Sequence, residues 1–233
     1  MMHGLHAYSK MMPSAVFCVT LNAYPEVPMD TKIKRIIWCL LGVVIIGLGC
    51  ALFKQSACGN DAFTALNITL SEKTGISLGT MTVIMNCIYL IAPLIWGRKY
   101  INIGTILNGV LLGYIVDFFF KLINGMFGDP SSLVIKLVWL IPAVIVISLG
   151  ISLYQTADLG VGPYDYLALG LRDHLHFPYF ACRIFTDSMC AIAAFLMGGL
   201  IGIGTLLCAL CLGPFTQFFD KAVSFKVMPE MAK

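Results

Sequence analysis

Residues 101–119 read INIGTILNGVLLGYIVDFF, and residues 201–219 read IGIGTLLCALCLGPFTQFF. Set one above the other at a shift of 100, nine of the nineteen positions are identical without a gap. Gly104-Thr105 falls on Gly204-Thr205, Leu112-Gly113 on Leu212-Gly213, and Phe118-Phe119 on Phe218-Phe219. Hydrophobicity shared by two apolar segments does not by itself align two Gly-Thr pairs and two Phe pairs. Self-similarity at a fixed spacing marks an internal repeat. Each stretch is also close to the roughly 20 apolar residues that a helix needs to cross a bilayer.

Working back from these two stretches, the likeness continues with small gaps. Gly49-Cys50-Ala51-Leu52-Phe53 resembles Gly150-Ile151-Ser152-Leu153-Tyr154, and Cys58-Gly59-Asn60-Asp61 lies near Gly160-Val161-Gly162-Pro163. Six spans follow, at about residues 36–53, 76–96, 102–122, 137–154, 179–197 and 201–219, with Gly198-Gly199 and Gly202 turning the chain between the last two. Each half reads as a span, a glycine-containing break, a short segment, a span, and a last span opened by Ile-Gly-Thr. The short segments are residues 62–70 and 164–175, and the first, ending before Glu72 and Lys73, is too short to cross. Three crossings per half is an odd number, so the second half enters from the opposite face. Such inverted-topology repeats are common among secondary transporters. The predicted fold is an all-α membrane protein of six transmembrane helices in two inverted three-helix repeats, each with a short re-entrant or interfacial helix. The first repeat takes residues 31–125 and the second residues 133–221, leaving residues 1–30 as an N-terminal extension and 222–233 as a cytoplasmic tail.

Composition agrees. Hydrophobic residues make up 59% of the 233 and charged residues 12%, about half the charged share of a soluble domain. A net charge of +3 gives no argument for nucleic acid, and the bilayer is the partner that the composition requires. The placement of Lys and Arg orients the spans. With the N-terminus inside, the cytoplasmic face receives Lys32, Lys34, Arg35, Arg98, Lys99, Arg172, Arg183, Lys221, Lys226 and Lys233. The outer face receives Lys54, Lys73, Lys121 and Lys136. Both termini are therefore expected in the cytoplasm. Residues 15–21 are too short an apolar stretch for a signal-peptide core. Met29, which leads directly into the first span, is read as the natural start, with residues 1–28 as an extension of little structure.

The nine cysteines do not suggest a metal or cofactor. Cys39, Cys50, Cys87, Cys190, Cys208 and Cys211 fall in apolar runs, where they behave as small hydrophobes. Cys208 and Cys211 form a CxxC, but inside a hydrophobic helix and without partner histidines. Asp173, His174 and His176 share a cytoplasmic segment whose spacing suits a solvated loop. There is no HExxH, GxSxG or phosphate-loop motif to support an enzyme.

Two places in the chain can carry chemistry. Gly160-Val161-Gly162-Pro163, followed by Tyr164-Asp165, is a helix start with Pro at its first position. A helix beginning within the membrane offers unpaired N–H groups and the positive end of its dipole, suited to an anion. The alternative is an interfacial helix with satisfied caps. Asp187 lies about 12 Å into the fifth span at 1.5 Å per residue, with Arg183 one turn earlier and able to pair with it. At a shift of 101 its counterpart is Asn86, so a polar group recurs at matching depth in both halves. These residues are either a proton relay or substrate contact at the repeat interface, or a structural ion pair. Asp117 and Lys121 form another one-turn pair, which snorkelling favours as structural. Gln217 is the mate of Asp117. Gly109-x-x-x-Gly113 coincides with Ala209-x-x-x-Gly213, small-residue faces that let helices approach, either between halves or between subunits.

Asp158, Gly160, Gly162, Pro163 and Asp165 match a DLGxGPxD pattern, and Gly202, Gly204 and Thr205 a GxGT pattern. In these the chain resembles the YczE/YyaS/YitT group of bacterial integral membrane proteins, the YczE-like branch in particular, over about residues 36–221. The first half departs from the pattern, with Cys58-Gly59-Asn60-Asp61 where a glycine–proline pair is expected. The resemblance implies a multi-pass protein of the bacterial cytoplasmic membrane and brings no catalytic residues. Two functions compete: a small secondary transporter of some small solute, and a non-transporting accessory protein that matures or regulates a partner. A bundle of six short spans is also compatible with a homodimer.

Overall fold

The computed structural model describes residues 29–96 and 101–228; the extension over residues 1–28, Arg98, Lys99 and Lys233 lie outside them. In chain order the helices are α1 (Met29–Ser56), α2 (Ala62–Thr74), α3 (Leu78–Tyr89), α4 (Ile91–Trp96), α5 (Ile103–Phe127), α6 (Leu133–Thr156), α7 (Pro163–Leu175), α8 (Tyr179–Leu196) and α9 (Ile203–Phe219). A π-helical turn, Asp220–Ser224, and a last turn, Phe225–Val227, close the described chain. Among the described residues, four helical stretches are long and apolar enough to cross a membrane: Lys32–Ser56, Ile103–Phe127, Leu133–Thr156 and Ile203–Val227. They correspond to the first, third, fourth and sixth expected spans.

The second expected span is interrupted. α3 ends at Tyr89, Leu90 turns, and α4 begins at Ile91. Pro93 has no N–H to offer the carbonyl of Tyr89, which breaks the helical ladder there. In the place of the fifth expected span stands α8, 18 residues that carry Arg183 and Asp187 and that are not among the four long apolar stretches. The glycine turn after α8 forms as expected, with Gly198 at φ +78° and its N–H bonded to the carbonyl of Phe195.

The core is the antiparallel pair α1/α6. Cys39, Val43, Ile46, Cys50 and Phe53 recur on α1 in steps of four and three, a single helix face, and all are buried. They meet Leu140, Ala143, Val144, Ile147, Leu153 and Tyr154. Glycines set the spacing. A β-carbon on Gly42 would lie 2.7 Å from the Tyr154 nitrogen, and one on Gly150 would lie 2.6 Å from the Ile46 nitrogen. The two backbones therefore touch. In hydrocarbon, where burying a leucine gains nothing over lipid, such close packing is what holds helices together. Beyond this pair, Ser152 of α6 donates to Asp220 at 2.6 Å and shares a 2.6 Å hydrogen bond with Ser224, tying the π-turn to α6 through fully buried groups. The sequence reading did not single these out.

The backbone repeats itself around the two breaks. α2 and α7 both have 13 residues, and α7 starts and ends 101 positions after α2. Ahead of them, Ala57 and Asp158 have φ of 49° and 51°, and Gly59 and Gly160 have φ of 98° and 101°. After them, Gly75 and His176 cap both helices in the left-handed region. The breaks are then bonded crosswise. Gly204 N–H donates to the Cys58 carbonyl and Gly104 N–H to the Leu159 carbonyl, both at 2.8 Å. Glycine is required at each break for two reasons: the positive φ, and the lack of room. A β-carbon on Gly59 would stand 2.6 Å from Thr205 Oγ1, and one on Gly160 would stand 2.6 Å from Thr105 Oγ1.

The small-residue faces behave differently. Gly109 and Gly113 are buried under α3 and α7: β-carbons there would come within 3.2 Å of Pro163 Cγ and 2.6 Å of Thr82 Cβ. Ala209 and Gly213 are exposed, and nothing lies within 4 Å of a β-carbon on Gly213. The expected packing thus holds within the chain for the first pair and not for the second, because α8 lies against α2 and α7 rather than across α9. Asp117 also differs from expectation. It accepts from the Gly79 N–H at 2.8 Å, binding the start of α3 to α5 instead of pairing along its own helix.

Candidate functional site

α2 and α7 begin inside the bundle. After α1 ends, the chain turns back far enough for Asn60 Nδ2 to donate to the Cys50 carbonyl at 3.2 Å, more than a turn inside α1. Asp61 then caps α2, accepting from the Thr64 N–H at 3.0 Å. α7 has no side-chain cap at Gly162, and Pro163 takes its first turn as expected. Its start is nevertheless faced by an acid: a β-carbon on Gly162 would lie 3.1 Å from Asp165 Oδ2. Both helix starts, including the one at Gly160–Pro163 that the sequence suggested for an anion, thus have one of the protein's own carboxylates beside them.

The two starts touch through aromatic rings. Phe63 stacks on Tyr164 with centroids 4.8 Å apart and an interplanar angle of 12°. Tyr89 of α3 tilts against both at 5.6 Å, and its hydroxyl lies 3.6 Å from Cys190 Sγ. On the α8 side, Tyr164 donates to Asp187 Oδ1 at 2.5 Å. Arg183 Nε donates to Asp187 Oδ2 at 3.1 Å, and the same guanidinium pairs with Asp165. It also sits 4.9 Å from the centre of the Tyr164 ring, a cation–π contact. Arg183, Asp165 and Asp187 side chains keep 31%, 40% and 33% of their surface exposed, so the cluster lies at the surface of the bundle rather than sealed inside it.

Of the residues singled out from sequence, Arg183, Asp187 and Asp165 come together, with Gly160, Gly162 and Pro163 forming the loop and first turn behind them. Asn86 belongs to an adjoining group. Its Nδ2 donates to the Gly109 carbonyl at 2.9 Å, and Pro163 packs on the same glycine. Phe63, Tyr89, Tyr164, Asp61 and Cys190 were not singled out. The signal for the rings was present: two aromatics occupy matching places in the two short segments, but each looks like an ordinary apolar residue when read alone. A separate pocket of about 330 Å³, lined by Leu171, Leu175, Phe177, Ala181, Cys182 and Phe185, has only apolar side chains on its walls and offers nothing to orient a polar solute.

Long apolar helices joined by short turns, with an ion-pair cluster among them, define an α-helical multi-pass membrane protein. The chain belongs to the family of unknown function DUF6198, whose profile matches residues 33–221. It is similar to YyaS of Bacillus subtilis, with 30% identity over 173 residues, 74% of this chain and 85% of that one. It is similar to the B. subtilis membrane protein YczE at 27% identity over 76% of this chain and 81% of that one. A Haemophilus influenzae protein matches at 26% identity over 80% of this chain and 83% of its own length. These findings agree with the resemblance drawn from the DLGxGPxD and GxGT residues. No solved structure matches.

Proposed function

We propose that this protein is a small secondary transporter of the bacterial cytoplasmic membrane, built as two inverted-topology repeats of three crossings each, with both termini in the cytoplasm. A small solute passes the junction where α2 and α7 begin. The inverted arrangement is supported by contacts between repeat-mates. Tyr89 and Cys190 are 101 positions apart and touch, and Phe63 and Tyr164, at the same offset, stack. A residue meets its own mate only close to a two-fold axis. Transporters of this architecture bind substrate at that axis, beside discontinuous helices.

The observation that carries the proposal is the Asp165–Arg183–Asp187 cluster at this junction. Ionisable groups within a membrane bundle are costly and mark ion or substrate pathways. The test is flux in proteoliposomes holding the purified protein, with a pH gradient imposed and a panel of amino acids, organic acids, nucleobases and organic cations outside. Saturable uptake of one class, lost in Asp187→Asn, supports the proposal. No uptake across the panel, together with a protein that co-purifies equally with wild type and Asp187→Asn, replaces it with the accessory role.

A further inference from the structure

The two repeats differ in how their middle helices pack against the last. In the first, α3 is docked on α5: Thr82 and Gly79 press on Gly113, Asn86 Nδ2 donates to the Gly109 carbonyl, and Asp117 accepts from the Gly79 N–H. In the second, the mates of these residues stand apart. Thr82 corresponds to Arg183, Asn86 to Asp187, Gly109 to Ala209, Gly113 to Gly213 and Asp117 to Gln217. Ala209, Gly213 and Gln217 are all exposed. The crosswise bonds at the breaks and the lengths of α2 and α7 are matched in the two halves, whereas the seats of α3 and α8 are not.

We propose that α8 has a second position, docked on the Ala209–Gly213 face of α9 as α3 is docked on α5, and that protonation of Asp187 sends it there. This rests on the inverted-repeat reading above. The chemistry follows from one substitution between the halves. Asn86 holds its carbonyl with an N–H, whereas an ionised aspartate has no hydrogen to donate. At the Ala209 carbonyl, Asp187 donates only after one of its oxygens has taken up a proton. In the present position Asp187 accepts from both Tyr164 O–H and Arg183 Nε. The groups around Asp187 are Arg183 and Cys190 on its own helix, Tyr164 and Asp165 on α7, Asp61 at the start of α2, Tyr89 on α3 and Cys208 on α9. Docking moves Arg183 with Asp187, breaks the Arg183–Asp165 pair, and opens the junction to the other side of the membrane. The proton then travels with the change of access.

Nitroxide labels at Ser188→Cys on α8 and Leu210→Cys on α9, in the full chain carrying Cys87→Ser, read this movement by pulsed electron resonance. Their mates Cys87 and Val110 are exposed in the docked half, so neither label stands in the contact. The expected result is one long distance at pH 8 and a growing shorter one towards pH 5. With a single linked proton the ratio of short to long changes by at most about tenfold per pH unit. Asp187→Asn gives the short distance at both pH values, and adding Gly213→Leu, which fills the docking face, removes it. One distance that changes neither with pH nor with Asp187→Asn overturns the proposal. Docking without flux in proteoliposomes sinks the transport reading alone; flux without docking sinks this inference alone.

Discussion

Gly113→Ala and Gly213→Ala are the same substitution at mated positions, and their outcomes should differ. At Gly113 the new methyl would lie 2.6 Å from Thr82 Cβ and 2.9 Å from Gly79 Cα. Carbon atoms prefer about 3.5–4.0 Å, so α3 and α5 must separate by roughly 1 Å. Overpacking of this kind costs about 1–3 kcal/mol. The separation also loosens the Asn86–Gly109 and Asp117–Gly79 bonds that join the same two helices. At Gly213 the methyl meets nothing within 4 Å. Replacing glycine by alanine within a helix favours the folded state by up to about 1 kcal/mol, and this gain applies to both variants. It cancels in the difference, leaving Gly213→Ala more stable than Gly113→Ala by about 1–3 kcal/mol. At roughly 2–4 °C per kcal/mol for a chain of this size, the melting temperatures separate by roughly 2–12 °C. The assay is thermal unfolding in detergent at pH 8, followed by a thiol-reactive dye that reports exposure of the buried Cys39 and Cys50. Equal shifts, or Gly213→Ala as the less stable variant, would refute the reasoning.

Three further outcomes follow from single contacts. Asp61→Ala removes the cap of α2 and should lower stability by about 1 kcal/mol in the same assay, while Asp61→Asn, which keeps an accepting oxygen, stays close to wild type. Asp117→Ala leaves the Gly79 N–H without its partner and should cost about 1–2 kcal/mol, with most of it restored in Asp117→Asn. Tyr164→Phe keeps the stack on Phe63 but leaves Asp187 without its hydroxyl donor, and should lower stability by about 1–2 kcal/mol in the same assay.

Much of the fold was legible because it rests on local chemistry. The glycine breaks, the helix start at Pro163 and the turn at Gly198 each need a particular residue, and that residue is in the sequence. The Arg183–Asp187 pair was legible for the same reason, since one turn of helix separates the two. What the sequence did not disclose depends on partners distant along the chain. Asp117 had a lysine one turn away, yet its bond goes to a backbone N–H 38 positions earlier. Gly113 and Gly213 carry the same spacing signal, but only one has a helix against it. Asp165 reads as an acid after a helix start; that it shares Arg183 with Asp187 appears only once α7 and α8 are packed together. The stacked rings of Phe63 and Tyr164 were hidden by their ordinariness as apolar residues.

The opposed orientation of the two halves is tested most directly by single cysteines at two repeat-mates. Lys73, at the end of α2, and His174, at the end of α7, are 101 positions apart and both exposed. Each variant is treated in intact cells with a maleimide that does not cross the membrane, in a background without the exposed Cys87. With the halves opposed, Lys73→Cys is labelled from outside and His174→Cys is labelled only after the cells are opened. Labelling of both from the same side would mean that the halves enter the membrane alike, and the two-fold junction with its transport role would be contradicted.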